Sequence, residues 1–256
     1  MLIPFVKYQG TGNDFIMIDD RAMLFPQQKD LIERLCHRRF GIGADGLILF
    51  QIKAGVAHMV YFNSDGRPSS MCGNGGRCFA AFGARLGALS TKGEFLAVDG
   101  PHPYEILTDG RVSLRMKDVD AIITRPEGLF IDTGSPHVVL RVNDPDDEDL
   151  VSVARAIRYN DYFRSVGVNV NLIAMQNGAL RVRTYERGVE DETYSCGTGV
   201  TAAALAAHHL RLASGEVQVS TKGGLLRVKF SESNGSYSAI DLIGPAEMVF
   251  EGVAEV

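Results

Sequence analysis

The sequence predicts an α/β fold of the α+β kind, with two similar duplicated domains, each a curved mixed or antiparallel sheet with one helix buried inside it. Three observations point there. First, landmarks recur in one order: "SMCGNGGRCFAAF" and "YSCGTGVTAAALAA" share a cysteine, a glycine turn and a small-residue helix, with Cys72 and Cys196 124 positions apart. "GTGNDFIMID" from Gly10 matches "DTGSPHVVLRV" from Asp132, and "TKGEFLAV" from Thr91 matches "ASGEVQVS" from Ala213. Second, short β-rich stretches outnumber helical ones. Third, the run after each of the two cysteines is apolar nearly all round, the pattern of a helix enclosed by its own sheet.

In chain order, "FIMIDD" is a strand and "KDLIERLCHRRF" an amphipathic helix on the surface of the first half. "GLILFQI" and "MVYFN" are strands, "RCFAAFGARLG" is the first enclosed helix, and "RVSLRM" is again a strand. The charge-rich "MKDVDA", around Lys117 to Asp120, marks the boundary, giving domains of residues 1–117 with 246–256 and residues 118–245. In the second half "HVVLRV" and "LRVRTYE" are strands, and "DPDDEDLVSVARAIR" opens acidic and closes basic, as a helix dipole favours. The second enclosed helix runs from about Gly199 to Leu212, followed by the strands "GEVQVS" and "LLRVKF". "EMVFEGVAEV" has no counterpart in the second half and is expected to cross back to pair with the first.

Composition narrows the function. Of 256 residues, 45% are hydrophobic and 22% charged, a globular balance. With 26 basic and 31 acidic residues the chain has no positive footprint for nucleic acid or an anionic membrane, so the expected partner is a small polar molecule. "MLIPFVKYQG" lacks the basic-then-apolar pattern of a secretory signal, and no run is long and apolar enough to span a bilayer; the expected location is the cytoplasm. Cys36, Cys72, Cys78 and Cys196 are too sparse for a disulfide scaffold and form no C-x-x-C pair, so each is expected as a thiol.

A cysteine directly before a helix start has a specific chemistry. The first amides of a helix are unpaired and carry about half a positive charge, which binds carboxylates and favours a thiolate over a thiol. Two such cysteines in equivalent repeat positions would face each other across an interdomain cleft, one on each side of a bound molecule. That arrangement suits removal of a proton from one face of a carbon and delivery of another to the opposite face. The turn amides would stabilise the enolate-like charge that forms between.

"KYQGTGNDF", "GIGADGLI", "FNSDGRPSSMCGNGGRC" and "YERGVEDETYSCGTG", with the buried helix after each cysteine, resemble the diaminopimelate epimerase family almost end to end. The resemblance implies two α/β domains, each with strands wrapped on a central helix, commonly paired into homodimers. It implies epimerisation of LL- and meso-diaminopimelate without a cofactor, in lysine and cell-wall precursor synthesis. It also implies Cys72 and Cys196 as the paired acid and base, and a substrate carboxylate held by Gly73, Asn74, Gly197 and Thr198. Asn13, Asn63, Asn169, Glu186 and Arg187 map to the grip on the distal, non-reacting end. A planar Arg187 fork suits the distal carboxylate, and Glu186 the distal ammonium. Ser135 stands where many family members have asparagine; serine is shorter and offers one hydroxyl in place of an amide, so that contact to the distal end is expected to be lost or carried by water. His137, at a strand start beside it, is a candidate for orienting the site or tuning a thiol. Gly46 replaces a larger polar residue of some relatives and is assigned no ligand.

Competing readings are weaker. Proline and hydroxyproline racemases are expected to share the duplicated fold and a cysteine pair, but carry histidine in the cysteine turn, where this chain has "CGNGG" and "CGTGV". Zinc held by Cys72, Cys78 and a histidine would need a C-x₅-C spacing that fits no common pattern. No lysine motif for pyridoxal phosphate and no dinucleotide fingerprint stands out, so no cofactor and no metal are expected.

Overall fold

The computed structural model describes residues 1–256, which divide into two compact units, Met1–Leu114 with Gly244–Val256 and Arg115–Ile243. The "MKDVDA" stretch belongs wholly to the second unit, because Met116 N donates to Ile240 O at 2.8 Å and Val119 N to Tyr237 O at 2.8 Å.

The first unit runs β1 (Leu2–Gly10), β2 (Asn13–Asp19), α1 (Lys29–Cys36), β3 (Gly46–Lys53), β4 (Val56–Asn63), α2 (Gly73–Arg85), β5 (Lys92–Ala97), β6 (Gly100–Ile106) and β7 (Val112–Arg115). The sheet is mixed: β1 is antiparallel to β2, β2 parallel to β3, β3 antiparallel to β4, β4 parallel to β5, and β5 and β6 antiparallel to their successors. Two hairpins close on two-residue turns, Thr11-Gly12 and Ala54-Gly55, with φ of 51°, 82°, 50° and 81°. These left-handed pairs match the twist of the strands they join. The C-terminal strand, Glu247–Glu255, lies antiparallel along the other side of β1, pairing Leu2 with Glu255 and Gln9 with Glu247.

The β2 and β3 stretches are buried on both faces, and their alternation assigns each face a helix. Ile16, Ile18, Leu47 and Leu49 pack outward with Ile32, Leu35 and Cys36 of α1. On the inner face Phe50 stacks on Phe79 of α2 with ring centroids 4.8 Å apart. Ten of the 13 residues of α2 are buried, so this helix is a core element with almost no solvent face. It fits because of three of its four glycines: a Cβ on Gly75 would lie 3.0 Å from Ile48 Cδ1, on Gly76 2.9 Å from Leu114 Cδ2, and on Gly83 2.6 Å from Phe50 Cε2.

The second unit repeats this path with β8 (Ile123–Arg125), β9 (Gly128–Asp132), β10 (Pro136–Arg141), α3 (Leu150–Arg158), β11 (Asn169–Gln176), β12 (Ala179–Glu186), β13 (Asp191–Thr193), α4 (Gly197–His209), β14 (Glu216–Thr221), β15 (Gly224–Ser233) and β16 (Ser236–Gly244). The pairing senses repeat as well: β9 antiparallel to β10, β10 parallel to β11, β11 antiparallel to β12, β12 parallel to β14, then antiparallel β14–β15 and β15–β16. Helix α3 covers the outer face with Leu150, Ala154 and Ile157, and Asp149 caps it by accepting from Ser152 N. Helix α4 lies inside, with Val200, Leu205 and its alanines fully buried. Contrary to the sequence reading, the C-terminal strand has a counterpart: β8 runs antiparallel to β9 as that strand runs antiparallel to β1. The relation was invisible because β8 is only three residues long.

Gly83→Val is expected to lower the free energy of unfolding by about 2 kcal/mol, since overpacking at Phe50 outweighs what the helix gains by losing a glycine. The urea midpoint checks this, with an unchanged midpoint counting against close packing of helix on sheet.

Candidate active site

Both cysteines of interest occupy the residue before a central helix, in the same backbone state. Cys72 has φ −108° and ψ 127°, and Cys196 has φ −113° and ψ 115°. The first helical bonds also match, Gly76 N to Cys72 O at 2.7 Å and Val200 N to Cys196 O at 2.8 Å. The amides of the turns before them therefore lie outside the helical ladder. Cys36 and Cys78 differ: burial pushes each thiol up to about 12, so both stay protonated and inert at neutral pH. All four are free thiols.

In the first unit the Thr11-Gly12 turn delivers Asn13 to the cysteine. Asn13 Oδ1 accepts from Cys72 Sγ at 3.5 Å and from Asn74 Nδ2 at 3.3 Å, while Asn13 Nδ2 donates to Asp45 Oδ2 at 2.7 Å. Asp45 belongs to an ionic cluster: Arg38 donates to Asp45 Oδ1 at 2.7 Å and to both oxygens of Asp14 at 2.8 and 3.0 Å, and Lys7 pairs with Asp14 at 2.8 Å. Burial pushes the Asp14 carboxyl up, but the hydrogen bonds and charges of Arg38 and Lys7 prevail and hold it at about 2. On the other side of Asn74, the fully buried Arg77 donates to Asn74 Oδ1 at 3.0 Å and to Gly73 O and Pro245 O at 3.3 Å each. Burial pushes its guanidinium down.

Asn63 ends β4 opposite Gly46, with its side chain exposed and its backbone in the Asn63–Arg67 turn. Gly46 has no room for a larger residue, since a Cβ would lie 2.5 Å from Phe62 O and 2.5 Å from the Tyr61 ring.

In the second unit the polar groups behind the cysteine are neutral. Thr198 Oγ1 lies 3.3 Å from Cys196 Sγ and 3.0 Å from His137 Nε2, and its carbonyl accepts from Thr133 Oγ1 at 2.9 Å. His137 is fully buried, with Asn171 Nδ2 3.0 Å from its Nδ1. Burial and the charge of Arg187 push its imidazole down to about 3. Asn169 Nδ2 donates to Ser135 Oγ at 2.9 Å and to Pro136 O at 3.0 Å, and Asn169 Oδ1 accepts from Arg187 N at 2.8 Å. Ser135 thus steadies Asn169. Arg187 follows Glu186 at the end of β12 and anchors its Nη1 on Val166 O at 2.9 Å, past Gly167, where a Cβ would lie 2.3 Å from Arg187 Cδ.

The residues picked from sequence therefore fall into two sets, Asn13, Cys72, Gly73 and Asn74, with Asn63 apart, in the first unit, and Ser135, His137, Asn169, Glu186, Arg187, Cys196, Gly197 and Thr198 in the second. Sequence reasoning passed over Asp45, Arg77 and Asn171, although the first two stand inside the quoted motifs. Asp45 and Asn171 act on residues that the fold brings beside them, and Arg77 reaches Pro245 O as well as Gly73 and Asn74 on its own helix.

The family model for diaminopimelate epimerase matches the chain twice, over residues 5–119 and 129–249. The chain belongs to the diaminopimelate epimerase family. It is 46% identical over 249 residues to the diaminopimelate epimerase of Flavobacterium psychrophilum, covering 96% of this chain and 97% of that protein. To the diaminopimelate epimerase of Chlorobaculum tepidum it is 41% identical over 255 residues, covering 95% and 98%. Among solved structures, a phenazine biosynthesis protein of the PhzF family from Bacillus anthracis matches with a TM-score of 0.73 at 15% identity over 100% of both chains. A hydroxyproline epimerase from Agrobacterium vitis matches with a TM-score of 0.68 at 13% identity, covering 99% of this chain and 92% of that one. Identities so low show a shared fold and nothing finer. Membership of the diaminopimelate epimerase family makes the chain an enzyme of the isomerase class.

The site's titrating groups give this epimerase family member a defined acid sensitivity. His137 moves from an ordinary 6.5 to about 3, so below 6.5 the unfolded chain binds a proton that the folded one refuses. Stability is full above that pH and falls as the pH drops toward 3, by about 1.4 kcal/mol per unit from this residue. Asp14 adds to the loss lower down, its contribution present above 3.8 and gone as the pH falls through about 2. Urea unfolding at about pH 7 and about pH 4.5 should show the first loss in the unmodified protein and a smaller one in His137→Gln.

Proposed function

We propose that this chain interconverts LL- and meso-diaminopimelate by a two-thiol acid–base mechanism, needing no cofactor or metal and serving lysine and cell-wall precursor synthesis. The observation that carries the reading is the duplicated cap: each unit begins its buried central helix with a cysteine, and Cys72 and Cys196 alone of the four stand at such positions. Family membership supplies the substrate.

One thiolate takes the α-proton while the other thiol gives its proton to the opposite face of the carbon. When the reaction runs backward the roles exchange. The mechanism requires both half-sites to close on one substrate. Gly73, Asn74, Gly197 and Thr198 then hold the reacting carboxylate with amides outside the helical ladder, where the developing charge is also stabilised. Asn13, Asn63, Asn169, Glu186 and Arg187 take the distal end, Arg187 the carboxylate and Glu186 the ammonium. This two-ended grip separates the reading from a proline-type racemase, whose substrate has one end. We place the enzyme in the cytoplasm as a homodimer, which sedimentation of the purified protein tests.

Incubation with LL-diaminopimelate should yield the meso isomer with no added pyridoxal phosphate and with a chelator present. Cys72→Ala and Cys196→Ala should each lose several orders of magnitude of net inversion in both directions. In deuterated water each is expected to keep slow α-proton exchange in one stereoisomer only, the two variants preferring opposite isomers. Near-normal inversion by both variants would refute the two-thiol reading.

Arg187→Ala should cost about 100-fold or more in kcat/KM, because a desolvated carboxylate loses a charge-assisted, two-pronged partner. An unchanged kcat/KM removes the distal clamp from the reading.

A further inference from the structure

Behind Cys196 lies a buried chain of neutral hydrogen-bonding groups whose polarity can be followed atom by atom. It starts at Thr184 on β12, whose hydroxyl donates to Asn171 Oδ1 at 2.9 Å. That contact fixes the Asn171 amide with its nitrogen turned the other way, toward Val138 O at 3.5 Å and His137 Nδ1 at 3.0 Å. An amide nitrogen only donates, so Nδ1 is the accepting nitrogen and the ring proton of the neutral imidazole sits on Nε2. Nε2–H then donates to Thr198 Oγ1, 3.0 Å away. The 3.5 Å approach of Asn169 Nδ2 to Nε2 does not compete, since Asn169 directs its donors at Ser135 Oγ and Pro136 O at 2.9 and 3.0 Å. Having accepted from histidine, Thr198 has one hydroxyl hydrogen to give, and Cys196 Sγ lies 3.3 Å off.

We propose that Asn171 and Thr184 are positioning residues that lock His137 in a single tautomer and thereby aim the Thr198 hydroxyl hydrogen at the Cys196 sulfur. A hydrogen bond donated to sulfur stabilises the thiolate over the thiol, so the chain sets how readily Cys196 gives up its proton. The packing is built for it. His137, Asn171 and Thr184 are 0%, 0% and 4% exposed, so water does not scramble the polarity. A Cβ on Gly199 would lie 2.6 Å from Asn171 Oδ1 and 3.2 Å from His137 Cε1, so the missing side chain lets the first turn of α4 rest on this pair. The burial and the Arg187 charge that hold His137 at about 3 keep the ring neutral, as the chain requires.

The inference rests on Cys196 as an acid–base thiol, and its test reads the sulfur directly rather than turnover. In a Cys72→Ala background the ultraviolet thiolate absorbance is titrated, with Cys36 and Cys78 silent because both thiols are held at about 12. Asn171→Leu and Thr198→Val should each move the Cys196 titration upward by about one pH unit, a tenfold change in the thiol–thiolate balance. Combined, they should move it no further than either alone, since both cut one chain. Thr198→Ser should restore it. Thr184→Val makes a smaller cut that frees the Asn171 amide to turn over, and it should shift the titration in the same direction even if Asn171→Leu does not fold. A Cys196 titration unmoved by Asn171→Leu, or by Thr184→Val where the former is unfolded, overturns the proposal. So do shifts of Asn171→Leu and Thr198→Val that simply add. Normal inversion by the cysteine variants would instead overturn the two-thiol reading, whatever the titrations show.

Discussion

In both units the backbone of a central helix lies in direct contact with side chains of its own sheet, because little or no side chain stands between them. At Gly75, Gly76 and Gly83 in the first helix, and at Gly199 in the second, one added carbon would lie only 2.5 to 3.0 Å from the nearest neighbouring atom, and the second helix adds a run of buried alanines. A helix held so closely cannot slide or roll, so its first turn has a fixed place. The cysteine, the glycine turn and the outlying amides inherit that place. Functional groups usually sit on loops and need support from neighbours; here the two cap cysteines are held by the hydrophobic core itself.

The two caps are alike in backbone and unlike in what stands behind them. Near Cys72 is an ionic cluster of Lys7, Asp14, Arg38 and Asp45, coupled to the sulfur through the Asn13 amide. Near Cys196 the connected groups are a hydroxyl, an imidazole and an amide without net charge. Duplication supplied the geometry twice, and divergence of the polar surroundings made the halves chemically distinct. A mechanism that needs one protonated and one ionised thiol benefits from such a difference, which a perfectly symmetric pair would lack.

The duplication, the enclosed helices and the two cap cysteines were legible because each leaves a local mark: a repeated turn, an all-apolar run, a thiol before glycine. The backbone carries the same duplication: Ala54-Gly55 closes β3 on β4 as Asn177-Gly178 closes β11 on β12, with both residues of each turn at positive φ. The supporting residues were not legible. Asn171 alternates along a buried strand like any core residue, and only the neighbouring strands β10 and β12 show that it meets His137 and Thr184. Arg77 reads as a surface residue by its charge, yet it is fully buried and three carbonyl oxygens surround its guanidinium. For Asn171 the deciding partners lie on other strands, and for Arg77 two of the three are backbone oxygens, neither of which is encoded in residue type.

The pairing of β1 with the C-terminal strand ties the order of synthesis to the order of folding. Gln9 and Glu247 are hydrogen-bonded at 2.6 Å across 238 positions of chain. As the polypeptide is made, β1 is followed closely by its partner β2, while the partner for its other edge is not translated until after all of Arg115–Ile243. The unit that begins first is therefore the one that finishes last, and throughout that interval it presents an open strand edge to every other nascent chain nearby.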